Sequence, residues 1–271
     1  MNYFWRADPD WLSRVVLKPM LDGRPNGIPL WEAFAKYAPI PRSDLWELLR
    51  ANVIQHIARA QLSNDALRRL TEMAIVVWSW TKGESGGYSL NVASLRGALS
   101  VSTQAVRAAA AWQFIQSIGL DADEEEDLEN PTTRWPGIGK QFFAEVWPLE
   151  PALQSPQSAK TFARIPIRSR KRYYIDAIRT VIPFLRPFEL WDVDTAFGLT
   201  EKSDDLVRKY PAETLELMAV SVSDEQKHAI FHLGRILSII SRAKADLIGD
   251  VNFRRLTMFV PEDELKLLKL N

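Results

Sequence analysis

The chain has no cysteine. A disulfide framework, a thiolate nucleophile and a Cys-based zinc site are thereby excluded, and the lack fits a reducing, cytoplasmic setting. It has no surplus of charge: 34 Lys and Arg face 34 Asp and Glu. General nucleic-acid binders carry a basic excess, so this balance argues against that class while leaving room for a local basic patch. No apolar run approaches the roughly 20 residues that span a bilayer. The opening stretch MNYFWRADPDW has no apolar signal core, so no membrane partner is expected. Strand patterning is scarce as well. There is no convincing period-2 alternation, and Asn26-Gly27 lies between Pro25 and Pro29, which reads as a loop. Catalytic signatures are missing. Gly137-Ile138-Gly139-Lys140 is a scrap of a phosphate loop without its first glycine, and Gln141 stands where Ser or Thr belongs. There is no nucleophile elbow and no dinucleotide fingerprint.

What the chain does have is helix punctuation. A side-chain oxygen followed by a residue suited to a first helical turn recurs at Asp8-Pro9, Ser43-Asp44, Ser63-Asn64, Ser102-Thr103, Ser155-Pro156, Ser169-Arg170, Ser223-Asp224 and Asp250-Val251. Short apolar-periodic runs follow. Leu45, Leu48, Leu49, Asn52, Val53 and Ile57 trace one mostly apolar stripe, and Leu67, Leu70, Met73, Ala74, Val77 and Trp78 another. The two runs, a few residues apart, read as an αα-hairpin. Ser223 with Gln226 reads as a capping box opening a helix through Ile230, Leu233, Ile236, Leu237 and Ile240. Helix pairs recur at about 40 residues, so the expected fold is all-α, an irregular HEAT-like stack of antiparallel helix pairs. An irregular helical bundle is the alternative. The acidic run from Asp121 to Glu129 resists packing. It divides the chain into an expected amino-terminal half (1–120), an acidic linker (121–134) and a carboxyl-terminal half (135–271). Ten tryptophans are many for this length. Most sit in apolar-periodic runs and read as wedges between helices, rather than as a stacking platform for bases.

Two constellations carry candidate chemistry. The run Arg164 to Tyr174 is basic with aromatics beside it. Arg168, Arg170, Lys171 and Arg172 would touch phosphates or another anion while Tyr174 stacks on a base. Cations at a helix start oppose the macrodipole, so an external anion would relieve the arrangement. His228 and His232 are spaced to share a helical face with Glu225 one turn earlier, the spacing of a divalent-metal pair. Ala229 replaces the glutamate of the zincin pattern and no third ligand motif accompanies them, so no metal is assigned. No catalytic residue and no cofactor are expected.

A longer pattern adds a resemblance. Phe142-Phe143-Ala144-Glu145-Val146-Trp147-Pro148 is followed by Ser155-Pro156 and Ala177-Ile178. Ile182-Pro183-Phe184-Leu185-Arg186-Pro187, Trp191, Lys209-Tyr210-Pro211 and Thr214-Leu215-Glu216-Leu217-Met218 come after. This stretch, about a third of the chain, resembles the α-helical carboxyl-terminal region of large bacterial antiphage defence proteins. In those proteins it is a domain of unknown function that follows a sirtuin-like NAD-hydrolysing domain or a nucleotide-binding module. The resemblance implies a helical piece that works with a separately encoded effector, or part of a longer polypeptide. The expectation is a non-enzymatic interaction or scaffold protein, a sensor or accessory component of antiphage defence whose partner is another protein, such as an effector or a phage protein. A nucleic-acid-binding accessory subunit using residues 164–172 is the alternative.

Overall fold

Helices dominate the chain, and the described residues contain no strand, only isolated bridges. The structure, a computed structural model, describes residues 1–22, 25–82, 87–118, 134–266 and 268. The acidic run of the expected linker lies outside these. Two units form. The first comprises Met1–Ser117 with Lys140–Leu153, and the second Ile118–Gly139 with Gln154–Asn271. The first is thus discontinuous, because a segment from beyond the acidic run returns to it.

In the first unit, short helices lead into α1 (Ile28–Tyr37), α2 (Ser43–Arg59) and α3 (Asn64–Thr81). Leu45, Leu49, Val53 and Ile57 recur every four residues on α2 and are fully buried. Ala60, left-handed at φ 50°, ends α2, and the Ser63 hydroxyl caps α3 by accepting from the Ala66 N–H at 3.3 Å. Glu32 reinforces this start, accepting from the Ser63 N–H at 2.6 Å and from its hydroxyl at 2.7 Å. α4 (Val92–Val101) and α5 (Gln104–Ile118) follow. Arg107 of α5 is buried without a carboxylate partner among the described residues. Its guanidinium donates to the Leu99 and Ser102 carbonyls. A cation at the negative end of α4 is electrostatically favoured there, although its Nε is buried without a described hydrogen-bond partner and burial pulls the affinity of Arg107 for its proton down. The returning segment docks by aromatic packing. Phe142 stacks on Phe114 with centroids 3.7 Å apart and planes 7° apart, and Trp78 meets Phe142 edge-on at 5.7 Å. Lys82 closes the contact on Glu145 at 2.7 Å.

The second unit contains α6 (Pro156–Phe162), α7 (Arg170–Val181), α8 (Val193–Phe197), α9 (Asp204–Lys209), α10 (Pro211–Ser221), α11 (Leu233–Ala243), α12 (Val251–Thr257) and α13 (Glu262–Leu265). Ser155 and Ser158 form a capping box at α6, and Asp250 caps α12. The turn Trp135–Gly139 belongs to this unit, with the Trp135 indole donating to Asp176 at 2.9 Å. Gly139 is required by packing. A Cβ there would lie within 2.8 Å of three indole atoms of Trp135. The second glycine of the would-be phosphate loop therefore answers to a tryptophan, while nothing lies within 4 Å of a Cβ on Gly137.

Half of the ten tryptophans are core wedges, fewer than their periodic setting suggested: Trp31, Trp46, Trp78, Trp135 and Trp147 are fully buried. Trp11, Trp112 and Trp191 are exposed.

Candidate functional site

The basic segment splits on folding. Arg168 ends a short helix, Ile165–Arg168, and is exposed. Arg172 is also exposed, its guanidinium 5.5 Å from the ring centroid of Tyr173. The side chains of Arg170 and Lys171 lie outside the described residues. Tyr174 corrects the expectation of a stacking platform, since it is 0% exposed. Its position on α7 matches Ile178 and Val181, one and two turns on, which are also buried. The Thr214 hydroxyl donates to the Tyr210 carbonyl at 2.8 Å, so the Tyr174 hydroxyl donates to Thr214 Oγ1 at 3.1 Å. Burial pushes the Tyr174 phenol up to about 12, the Thr214 bond opposing and the Glu213 charge assisting. No base can reach this ring in the folded chain. Of the expected contact residues, Arg168 and Arg172 are the ones whose described side chains are exposed.

The histidine pair is also corrected. Residues 222–232 are not helical, and α11 begins only at Leu233. Ser223 accepts instead from the nearby Glu225 N–H at 3.1 Å. Gln226, the expected second half of a capping box, turns away and is buried. It accepts from the Leu190 N–H at 3.1 Å and donates to the Leu190 carbonyl at 2.6 Å and the His228 carbonyl at 3.0 Å. The Gln226 amide thus imitates a neighbouring strand. His228 and His232 lie on this non-helical stretch and share no helical face. Among the described residues no group of three or more His, Asp or Glu side chains is placed to hold a metal ion.

This non-helical stretch builds the most distinctive described surface of the second unit. Residues 188–192 meet the loop 222–231 at its two ends, through parallel bridges Phe188–Val222 and Asp192–Phe231. The Phe231 N–H donates to the Trp191 carbonyl at 2.9 Å, and the Val193 N–H to the Phe231 carbonyl at 3.1 Å. Phe188 and Leu190 point inward while Glu189 and Trp191 point out. Trp191 is 54% and Phe231 57% exposed. The Trp191 indole stacks on the His228 imidazole, centroids 4.3 Å and planes 21° apart. Exposed carboxylates of Glu189, Asp224 and Glu225 lie along the same ribbon. The alternation Phe188-Glu189-Leu190-Trp191 was the sequence signal for it, too short to stand out without its partner segment.

A polar cluster pins one end of the ribbon. His232 Nδ1 lies 2.8 Å from Asp192 Oδ2 and 3.6 Å from Asp194 Oδ2. Arg235 joins Asp194 at 2.7 Å, Asp204 and the Leu199 carbonyl, tying α8, α9 and α11 together. Burial pushes the Asp192 carboxyl up. Hydrogen bonds from the Thr195 N–H and hydroxyl and from His232, with the charge of that imidazole, outweigh this and hold it below the usual range.

Comparison of the chain with protein-family models, with curated proteins and with solved structures finds no match. No described helix is long and apolar enough to cross a membrane.

Proposed function

We propose that this chain is a non-enzymatic interaction protein. Its helix pairs are stacked in HEAT-like fashion, and its exterior recognises another protein, an effector or a phage protein, within bacterial antiphage defence. The observation that carries the binding part is the Trp191 surface. A large indole stands half in solvent, stacked on His228 and held on a backbone fixed by Gln226 and Phe231. Exposed, immobilised aromatic groups are the usual anchors of protein interfaces, because they offer apolar area with little conformational entropy left to lose. The defence setting rests on the resemblance of the carboxyl-terminal stretch. The exposed Arg168 and Arg172 support the second reading, a nucleic-acid-binding accessory subunit, through phosphate contact alone.

The test is affinity capture from the native host with the wild-type chain and with Trp191→Ala and Trp112→Ala, both at exposed positions. A specific co-purifying protein should be lost with Trp191→Ala and retained with Trp112→Ala, with far-UV circular dichroism unchanged in both. Equal capture by all three, or the same loss from both variants, overturns the assignment of the surface. Unaltered phage sensitivity of host cells lacking the gene would remove the defence setting.

A further inference from the structure

We infer that residues 259–266 form a latch, locked by Glu264, that sets the geometry of the Trp191–Phe231 ribbon. Glu264 belongs to α13, a four-residue helix with three acids in its first turn. So short a helix cannot hold itself together. Its carboxylate caps α11 from thirty residues away, accepting from the His232 N–H and from the Gly234 N–H, each at 2.8 Å. The sequence is fitted to this approach. A Cβ on Gly234 would come within 2.7 Å of Glu264 Cβ and 3.0 Å of Val260 Cγ1. The Ile230 N–H donates to the Phe259 carbonyl at 2.7 Å, and Val260 and Leu268 are buried.

The coupling to the ribbon runs through one peptide group. The Phe231–His232 peptide accepts from the Val193 N–H through its carbonyl and donates to Glu264 through its N–H. It is clamped between the ribbon and the latch. His232 also has φ 61°, a left-handed conformation that is unfavourable for a residue with a β-carbon and persists only where contacts impose it. Removing the Glu264 contact frees that N–H and lets His232 relax toward φ below zero. The Phe231 carbonyl then swings away from Val193, and the backbone that presents Trp191 and Phe231 loosens. The latch thereby regulates the surface assigned above. That consequence rests on the reading of the surface as a docking site, whereas the existence of the latch does not.

The experiment is amide hydrogen exchange on the full chain, comparing wild type with Glu264→Ala and Glu264→Gln. A lost helix cap corresponds to about tenfold faster local exchange. The expected result is such acceleration at His232, Gly234 and Val193 in Glu264→Ala, with the amides of the buried helix α10 unchanged. Glu264→Gln keeps one acceptor oxygen and should give a smaller acceleration at the same residues. Wild-type exchange at His232 and Gly234 in both variants overturns the lock. Unchanged exchange at Val193 overturns the coupling, and equal acceleration throughout α10 overturns the latch in favour of a general packing role. No partner enters the measurement, so its failure is distinct from failure of the docking surface.

Discussion

Replacing Gly139 with Ala tests whether packing or phosphate binding placed the Gly137-Ile138-Gly139 pair. The new methyl would lie within 2.8 Å of three atoms of the fully buried Trp135 indole. A rigid bicyclic ring in a filled core cannot step aside cheaply, and overpacking of this kind costs about 1–3 kcal/mol. If the indole moves, its 2.9 Å bond to the Asp176 carboxylate weakens, and a hydrogen bond to a charged group contributes about 1.5–3 kcal/mol. The better helix propensity of Ala returns at most about 1 kcal/mol. The net expectation is a loss of about 2–4 kcal/mol. Gly137→Ala is the internal control, because nothing lies within 4 Å of a Cβ there. It should be neutral or stabilising by up to about 1 kcal/mol. Scanning calorimetry reads both variants. At about 2–4 °C per kcal/mol, Gly139→Ala should lower the transition of its unit by about 5–15 °C while Gly137→Ala leaves it in place or raises it slightly. Two variants that melt together would refute the packing argument.

Arg235→Met should cost about 2–4 kcal/mol, since it strands the Asp194 and Asp204 carboxylates in a partly buried site. Arg208→Ala, which removes a solvent-exposed pair, should stay within about 0.5 kcal/mol in the same denaturant titration. The depressed carboxyl of Asp192 contributes stability that is fully present above its ordinary value of 3.8 and is lost as pH falls through the lower, folded value. Asp192→Asn should therefore lower the denaturation midpoint at neutral pH and flatten its acid limb below about pH 4; a limb as steep as the wild type's would exclude Asp192 as a contributor. Tyr174→Phe removes the donor to Thr214 and should cost about 1 kcal/mol, without altering any binding to single-stranded DNA. Arg168→Ala with Arg172→Ala should reduce such binding and its salt dependence if the second reading holds, and a base-stacking role for Tyr174 would show as the opposite pattern.

Local chemistry read directly from the chain gave the helical class, because caps and periodicity act within a few residues. Asp8, Ser63, Ser155 and Asp250 cap helices where their side-chain oxygens predicted. The apolar stripes of α2 and α3, apart from Leu48, which is exposed, and the inward tryptophans followed from the same short-range spacing. Tyr174 was legible by that rule too. Its spacing with Ile178 and Val181 places it inside, and grouping it with the neighbouring cations overrode the period.

Tertiary structure decided what depended on distant partners. Ser223 and Gln226 have capping-box spacing, yet the Gln226 amide is taken by the Leu190 backbone 36 residues away, and no helix starts there. The helix begins instead at Leu233, where Glu264 supplies the cap from beyond its far end. Gly139 is fixed by a ring four residues earlier that only folding lays over it. The return of Lys140–Leu153 to the first unit depends on a Phe114–Phe142 stack that no local pattern encodes. A hydrogen bond or ring contact is satisfied by whichever group arrives in space, so sequence fixes the residues that need partners while the fold chooses the partners.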